Sequence, residues 1–130
     1  MNQPPVWLDV FDALVVHERL LALDGGGAGL RDADLLDAAL ARPRQHAGYG
    51  GTTDIVEFAA LYTAAIVENH PFVDGNKRTG FVLGVLFLEL NGFVFEASQE
   101  EAASAVIALA SGTLSRAGYA AFLGANARRA

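Results

Sequence analysis

Ten consecutive residues, His70-Pro71-Phe72-Val73-Asp74-Gly75-Asn76-Lys77-Arg78-Thr79, bring an imidazole, a carboxylate, a carboxamide and two cations together. A histidine can take a proton from a hydroxyl near neutral pH, so His70 is the candidate general base. Asp74 can hold a magnesium ion, which uses one or two carboxylates and completes its shell with phosphate oxygens and water. Backbone N–H groups at Asn76, with Lys77 and Arg78, can bind a polyphosphate. Base, metal ligand and anion clamp within one loop are the parts needed to move a phosphate-containing group from a nucleotide to a hydroxyl. Taken singly, each residue has a plainer use. A His before Pro ends a helix, Asp74 forms a turn, and Lys77 and Arg78 sit in solvent. The combination is what the plain uses leave unexplained.

The flanking sequence places these groups on a helix, a tight loop and a second helix. Pro71 pushes His70 out of helical geometry and stops the first helix. Asp74-Gly75 marks a turn. Asn76 is expected to cap a new helix running through Lys77 and Arg78 into Phe81-Val82-Leu83. That helix points its free N–H groups and the positive end of its dipole into the loop. Two cations on its first turn oppose the dipole unless an anion sits in front of them.

The rest of the chain reads as further helices. The first runs from about Asp9 to Leu23, with Phe11, Leu14, Val15 and Leu21 near helical spacing. The glycine-rich run Asp24–Gly29 reads as a helix stop and flexible turn, because no Gly-Lys-Ser/Thr follows it. A second helix spans about Asp32 to Ala41, capped by Asp32 and ended by Pro43. Arg44 to Thr53 reads as a loop or short hairpin, with Tyr49 exposed among glycines. Asp54 and Glu57 form a capping box for a third helix ending at Asn69. The fourth runs from Asn76 to Leu90, with Gly80 and Gly84 one turn apart to admit a neighbouring backbone. Nearly every side chain from Phe81 to Leu88 is apolar, so this helix is expected to be buried all round at the centre of the fold. Phe93–Phe95 is an extended link. Ser98 with Glu101 opens a fifth helix to about Ala110, and Ser115 caps a sixth ending near Asn126. His17 reads as a surface or packing residue and His46 as a loop residue. The expectation is a compact all-α fold of six helices around a buried central one.

Composition bounds the function. At 130 residues the chain is expected to be one domain over 1–130. A hydrophobic fraction of 52% against 18% charged residues argues for a packed core and against a disordered tail. With no cysteine, disulfides and thiolate metal sites are excluded, which fits a reducing, cytoplasmic setting. A net charge of -6 makes a poor direct binder of nucleic acid, where affinity comes mostly from neutralising phosphates. No signal peptide is expected at the N-terminus. The longest apolar run, Phe81 to Leu88, is too short to span a bilayer.

The central stretch resembles the signature of the Fic/Doc superfamily, in its Doc (death-on-curing toxin) branch. The similarity extends to Gly25-Gly26 through Gly29-Leu30-Arg31, to Leu35–Leu40 with Pro43, and to Phe87–Gly92, in order along the chain. Fic proteins typically transfer AMP from ATP to a target hydroxyl. Their pattern has Gly where this chain has Lys77 and a second Arg where it has Phe81, and both departures match Doc. That second Arg grips the inner phosphates for AMP transfer. Doc toxins are understood to bind ATP reversed and to phosphorylate a threonine of elongation factor Tu, which stalls translation.

The resemblance therefore implies His70 as base, Asp74 as magnesium ligand, and Gly75, Asn76, Lys77 and Arg78 as binders of ATP phosphates. Phe72 would anchor the loop in the core, and Gly75 would let the backbone approach phosphate. The superfamily places a target-docking flap at the Arg44–Thr53 stretch, here Gly48, Tyr49 and Gly50, where an extended target segment could add as a strand. A self-inhibitory helix would need Gly or Asn after the Thr53/Glu57 pair, where Phe58 stands. Restraint in trans is implied, by a Phd-like antitoxin whose disordered tail folds on the toxin. AMP transfer and a catalytically silent antitoxin-binding module are the alternatives.

Overall fold

The computed structural model describes residues 4–50 and 54–130. Among these, six helices follow in chain order: α1 (Val10–Asp24), α2 (Ala33–Gly50), α3 (Ile55–Asn69), α4 (Asn76–Leu90), α5 (Gln99–Ser111) and α6 (Arg116–Asn126). Two short strands, β1 (Phe93–Phe95) and β2 (Ala127–Arg129), complete an otherwise all-α fold. They pair antiparallel, with Val94 opposite Arg128, and so tie the chain's last strand to the connection after α4.

Most helices begin where a short polar side chain can accept a first-turn N–H. Asp9 and Asp12 make a reciprocal capping box at α1. Asp32 accepts from Leu35 N–H at 3.1 Å, and Asp54 accepts from Val56 and Glu57. Ser98 and Ser115 cap α5 and α6. Helix α4 is the exception: its N-cap is Gly75, and no side chain caps it.

Two expectations fail along α2. Pro43 does not end the helix but lies inside it. The stretch from Arg44 to Gly50, including Gly48, Tyr49 and Gly50 of the expected flap, is helical, not a loop or hairpin. Residues 51–53, the remainder of that stretch, lie outside the described residues. A proline costs a helix interior about 3 kcal/mol, and distant partners offset it. Arg44 lies over the Trp7 ring at 5.4 Å, Ala47 packs on the core, and His46 Nε2 donates to the Glu57 carboxylate at 3.0 Å.

The central buried helix is α3, in which Phe58, Ala59, Ala60 and every residue from Tyr62 to Val67 are buried. Its alanines let neighbours close in from several sides. Helix α4 is not buried all round. Thr79, Gly80, Leu83, Gly84, Phe87 and Leu88 are buried at helical spacing, while Phe81, Val82, Val85 and Leu86 on the other side are half-buried. The two glycines set the approach of α4 to α3. A Cβ on Gly80 would lie 3.1 Å from the Thr63 carbonyl oxygen, and one on Gly84 would lie 3.0 Å from that of Ala59 and collide with the Thr63 hydroxyl. That hydroxyl donates to the Gly80 carbonyl at 2.7 Å across the contact. No helix among the described residues is long and apolar enough to cross a membrane.

Candidate active site

The loop between α3 and α4 is held from both sides by main-chain and side-chain bonds. His70 caps α3 in the left-handed region, φ 50° and ψ 57°, the one non-glycine residue with positive φ among those described. Such a conformation costs an L-residue about 1–2 kcal/mol, although His adopts it more readily than most. Arg31 offsets the cost. Its Nε donates to the His70 carbonyl at 2.7 Å and its Nη2 to the Asn69 carbonyl at 2.8 Å, satisfying carbonyls that the helix leaves free. A cation here also suits the negative end of the α3 dipole. The Pro71 carbonyl accepts from Arg31 N–H at 2.7 Å and Asp32 N–H at 3.1 Å, and Val73 N–H donates to Gly29 O at 3.1 Å.

Phe72 is buried, as its anchoring role requires. Its ring stacks on His17 with centroids 3.9 Å apart. Asn76 does not cap α4. It is the first residue of the helix, and its side chain turns back to clamp Phe72, accepting the Phe72 N–H at 3.0 Å and donating to its carbonyl at 2.9 Å. Gly75, at φ 79°, has already turned the chain, so Asn76 starts inside the helix. With its carboxamide thus engaged, what Asn76 can offer an anion is its backbone N–H.

Asp74 is exposed, and its carboxylate is oriented by two backbone donors, Gly75 N–H at 2.8 Å and Gly27 N–H at 3.3 Å. The Gly75 N–H and then the Gly27 N–H hold its carboxyl below the usual carboxylate range, with smaller help from Arg78 and His17. The group is therefore an anion at neutral pH. Gly26, at φ +120°, leaves room for it: a Cβ there would stand 2.9 Å from Asp74 Oδ2. Arg78 reaches Asp24 at 3.3 Å, while Lys77 has no ion-pair partner among the described residues.

His70, Asp74, Gly75, Asn76, Lys77 and Arg78 all line one cavity of about 1090 Å³. Its other end is hydrocarbon, from Phe81, Val82, Val85, Phe95, Val106 and Ile107 among others. Of the expected flap residues, Gly48 does not line it; the side chain of Tyr49 lies outside what the structure describes. The cavity fits a magnesium–polyphosphate ligand on two counts. An uncapped helix start with two cations suits an anion, and an oriented carboxylate suits a cation. No group of three or more His, Cys, Asp or Glu that could hold a metal occurs among the described residues. An ion here would fill its shell largely from phosphate and water.

Sequence reasoning missed five contributors. His17, read as a surface or packing residue, is buried with Nε2 2.8 Å from the Asp74 carbonyl oxygen. Arg31 closes α3, Gly26 and Gly27 flank the Asp74 carboxylate, and Asp24 pairs with Arg78. The glycine run was visible, but nothing in it pointed to a partner 47 residues away.

A family model described as the Fic/DOC family matches residues 7–88, from before α1 almost to the end of α4. The chain is 31% identical over 105 residues to the protein kinase doc of Escherichia phage P1, an alignment covering 80% of this chain and 82% of that one. The chain belongs to the Fic/DOC family. It is also similar to the toxin Doc of Mycolicibacterium smegmatis, 41% identical over 69 residues, 52% of this chain and 53% of the relative. Both relatives are Doc proteins, which puts the chain on the Doc side of Fic/DOC. The family match takes in the motif and its supports His17, Gly26, Gly27 and Arg31, and ends before Phe95, Val106 and Ile107 of the cavity wall.

Proposed function

We propose that this chain, acting as a single domain, is the toxin of a type II toxin–antitoxin pair and an ATP-dependent kinase that phosphorylates a threonine of elongation factor Tu, arresting translation in the cytoplasm. The observation that carries the reading is the start of α4, uncapped and bearing Lys77 and Arg78, in one cavity with His70 and Asp74. Magnesium-bound ATP would supply the transferable phosphoryl group and leave as ADP, with the magnesium neutralising part of the phosphate charge. His70 takes the proton of the target hydroxyl as that oxygen becomes the nucleophile. Asp74, held ionised by Gly75 and Gly27, is the protein's ligand to the magnesium. Lys77, Arg78 and the N–H groups following Gly75 hold phosphate oxygens, whose charge the dipole of α4 favours.

Phosphoryl transfer is favoured over AMP transfer at Phe81. The position where Fic proteins carry their second Arg is a phenyl ring in the cavity wall, packed edge-on against Phe95 at 5.8 Å. At this position the wall offers an inner phosphate a phenyl ring in place of a cation. The names of the relatives, a kinase and a toxin, support the same side. The antitoxin is read as a Phd-like chain whose tail folds as a helix onto the apolar half of the cavity. Ile107 leaves 57% of its surface exposed there beside half-buried α4 side chains.

The test is label transfer by the purified chain with magnesium and elongation factor Tu. Label from γ-labelled ATP, lost in His70→Ala, is expected. Label arriving only from α-labelled ATP would replace the kinase reading with AMP transfer. No magnesium-dependent nucleotide binding at all would leave a silent antitoxin-binding module.

A further inference from the structure

His17 is the one buried histidine among the described residues, and the proposed chemistry does not use it. It lies on α1, far from the motif in sequence, yet it touches the motif twice. Its ring is nearly parallel to that of Phe72, at 10° and 3.9 Å between centroids. Its Nε2 is 2.8 Å from the main-chain carbonyl of Asp74. A carbonyl oxygen can only accept, so the hydrogen resides on Nε2. The same helix leads directly into Gly27, whose N–H donates to the Asp74 carboxylate. Helix α1 thus grips Asp74 at its backbone carbonyl, and the glycine turn that follows the helix grips its side chain. The grip matters because Asp74 is itself exposed and is followed by Gly75 in the left-handed region.

We propose that His17 is a positioning residue of this site. By fixing the Asp74 carbonyl it sets the direction of the carboxylate that meets the cation, and it sets the turn at Gly75 that aims the first N–H groups of α4. The proposal rests on the phosphate-transfer reading above for its functional consequence, and on the Asp74 hydrogen bonds for its structural one.

Two variants of the full chain separate donor from ring. His17→Phe keeps a ring against Phe72 and removes the donor. His17→Gln keeps an amide donor at similar reach and removes the ring. The readouts are solvent-exchange rates of the Gly27 and Gly75 amides by NMR, and the split between KM for magnesium–ATP and kcat. Loss of a hydrogen bond in His17→Phe is expected to speed both amides about tenfold and to raise KM by a similar factor with a smaller change in kcat. His17→Gln should restore most of both. In the wild-type chain, nitrogen-15 spectra should place the ring proton on Nε2. The proposal is overturned if His17→Phe leaves the two amides at wild-type rates, or if the wild-type ring carries its proton on Nδ1 alone. Should His17→Phe fail to fold, fast Gly27 and Gly75 exchange in a folded His17→Gln overturns it. A wild-type chain that binds no magnesium–nucleotide would sink the phosphate-transfer reading, while the exchange and tautomer arms still decide whether His17 positions Asp74.

Discussion

Helices α4 and α6 both open on cations with no acid in their first turn, and the two starts end in opposite states. At α6 the Ser115 hydroxyl accepts Gly118 N–H at 2.9 Å. Arg116 lies in a two-point pair with Glu68, Nε to Oε2 at 2.9 Å and Nη2 to Oε1. At α4 the cap position is a glycine, Lys77 has no partner among the described residues, and Arg78 shares one exposed contact with Asp24. A first-turn cation is therefore structural where a carboxylate fork and a hydroxyl cap already answer it. Where both are missing, as at α4, it is open to the phosphate proposed above. First-turn composition alone does not separate the two cases.

The comparison breaks most sharply at the base. His70→Ala should lower transfer about 10²–10⁴-fold and leave the melting temperature near wild type, since the ring is exposed. Arg116→Ala, its counterpart at α6, should leave transfer unchanged. A rate loss there would erase the distinction between the two starts.

Arg78→Ala should weaken magnesium–ATP binding about tenfold to a hundredfold by calorimetry, as expected for losing a charge-assisted hydrogen bond worth about 1.5–3 kcal/mol. Asp24→Asn, which frees Arg78, should tighten binding by no more than a few-fold, because exposed pairs contribute about 0–1 kcal/mol.

Gly75→Asp should make α4 more like its capped neighbours. Asp tolerates the left-handed region, and a Cβ there meets nothing closer than His17 at 3.7 Å. A negative charge at the helix start should weaken nucleotide binding up to about tenfold, and an L-residue at this positive φ should cost about 1–2 kcal/mol of stability.

The smallest effect is on acid stability. The folded-state pKa of Asp74 is lowered, so its contribution is present above the unfolded value of 3.8 and is lost as pH falls through the folded value. Asp74→Asn should flatten the melting temperature against pH only below about pH 4. Flattening near pH 6 would mean another group is titrating.

Much of this was legible before the fold was known. Helix starts at Asp9, Asp32, Asp54, Ser98 and Ser115 follow from side chains bonding N–H groups two to three residues on, a scale the sequence displays directly. His70 and the residues from Val73 to Arg78 line one cavity because a single tight loop carries them. Where the reading failed, the deciding contact came from elsewhere. Pro43 stayed helical because Trp7, Phe58 and Glu57 hold the turns after it. Helix α4 exposes a face because hydrocarbon content does not say where neighbours stop. Asn76 clamps Phe72 because Gly75 had already made the turn.

By itself the sequence determined which chemical groups share the loop and that the helix after them begins with cations and no acid, since both are properties of adjacent residues. Only the tertiary structure decided which way those groups face. The left-handed His70 depends on Arg31, 39 residues away, and the direction of Asp74 depends on Gly27 and His17, 47 and 57 residues away. Hydrogen bonds are short and directional, so partners that far apart in the chain meet only after α1, α3 and α4 have packed.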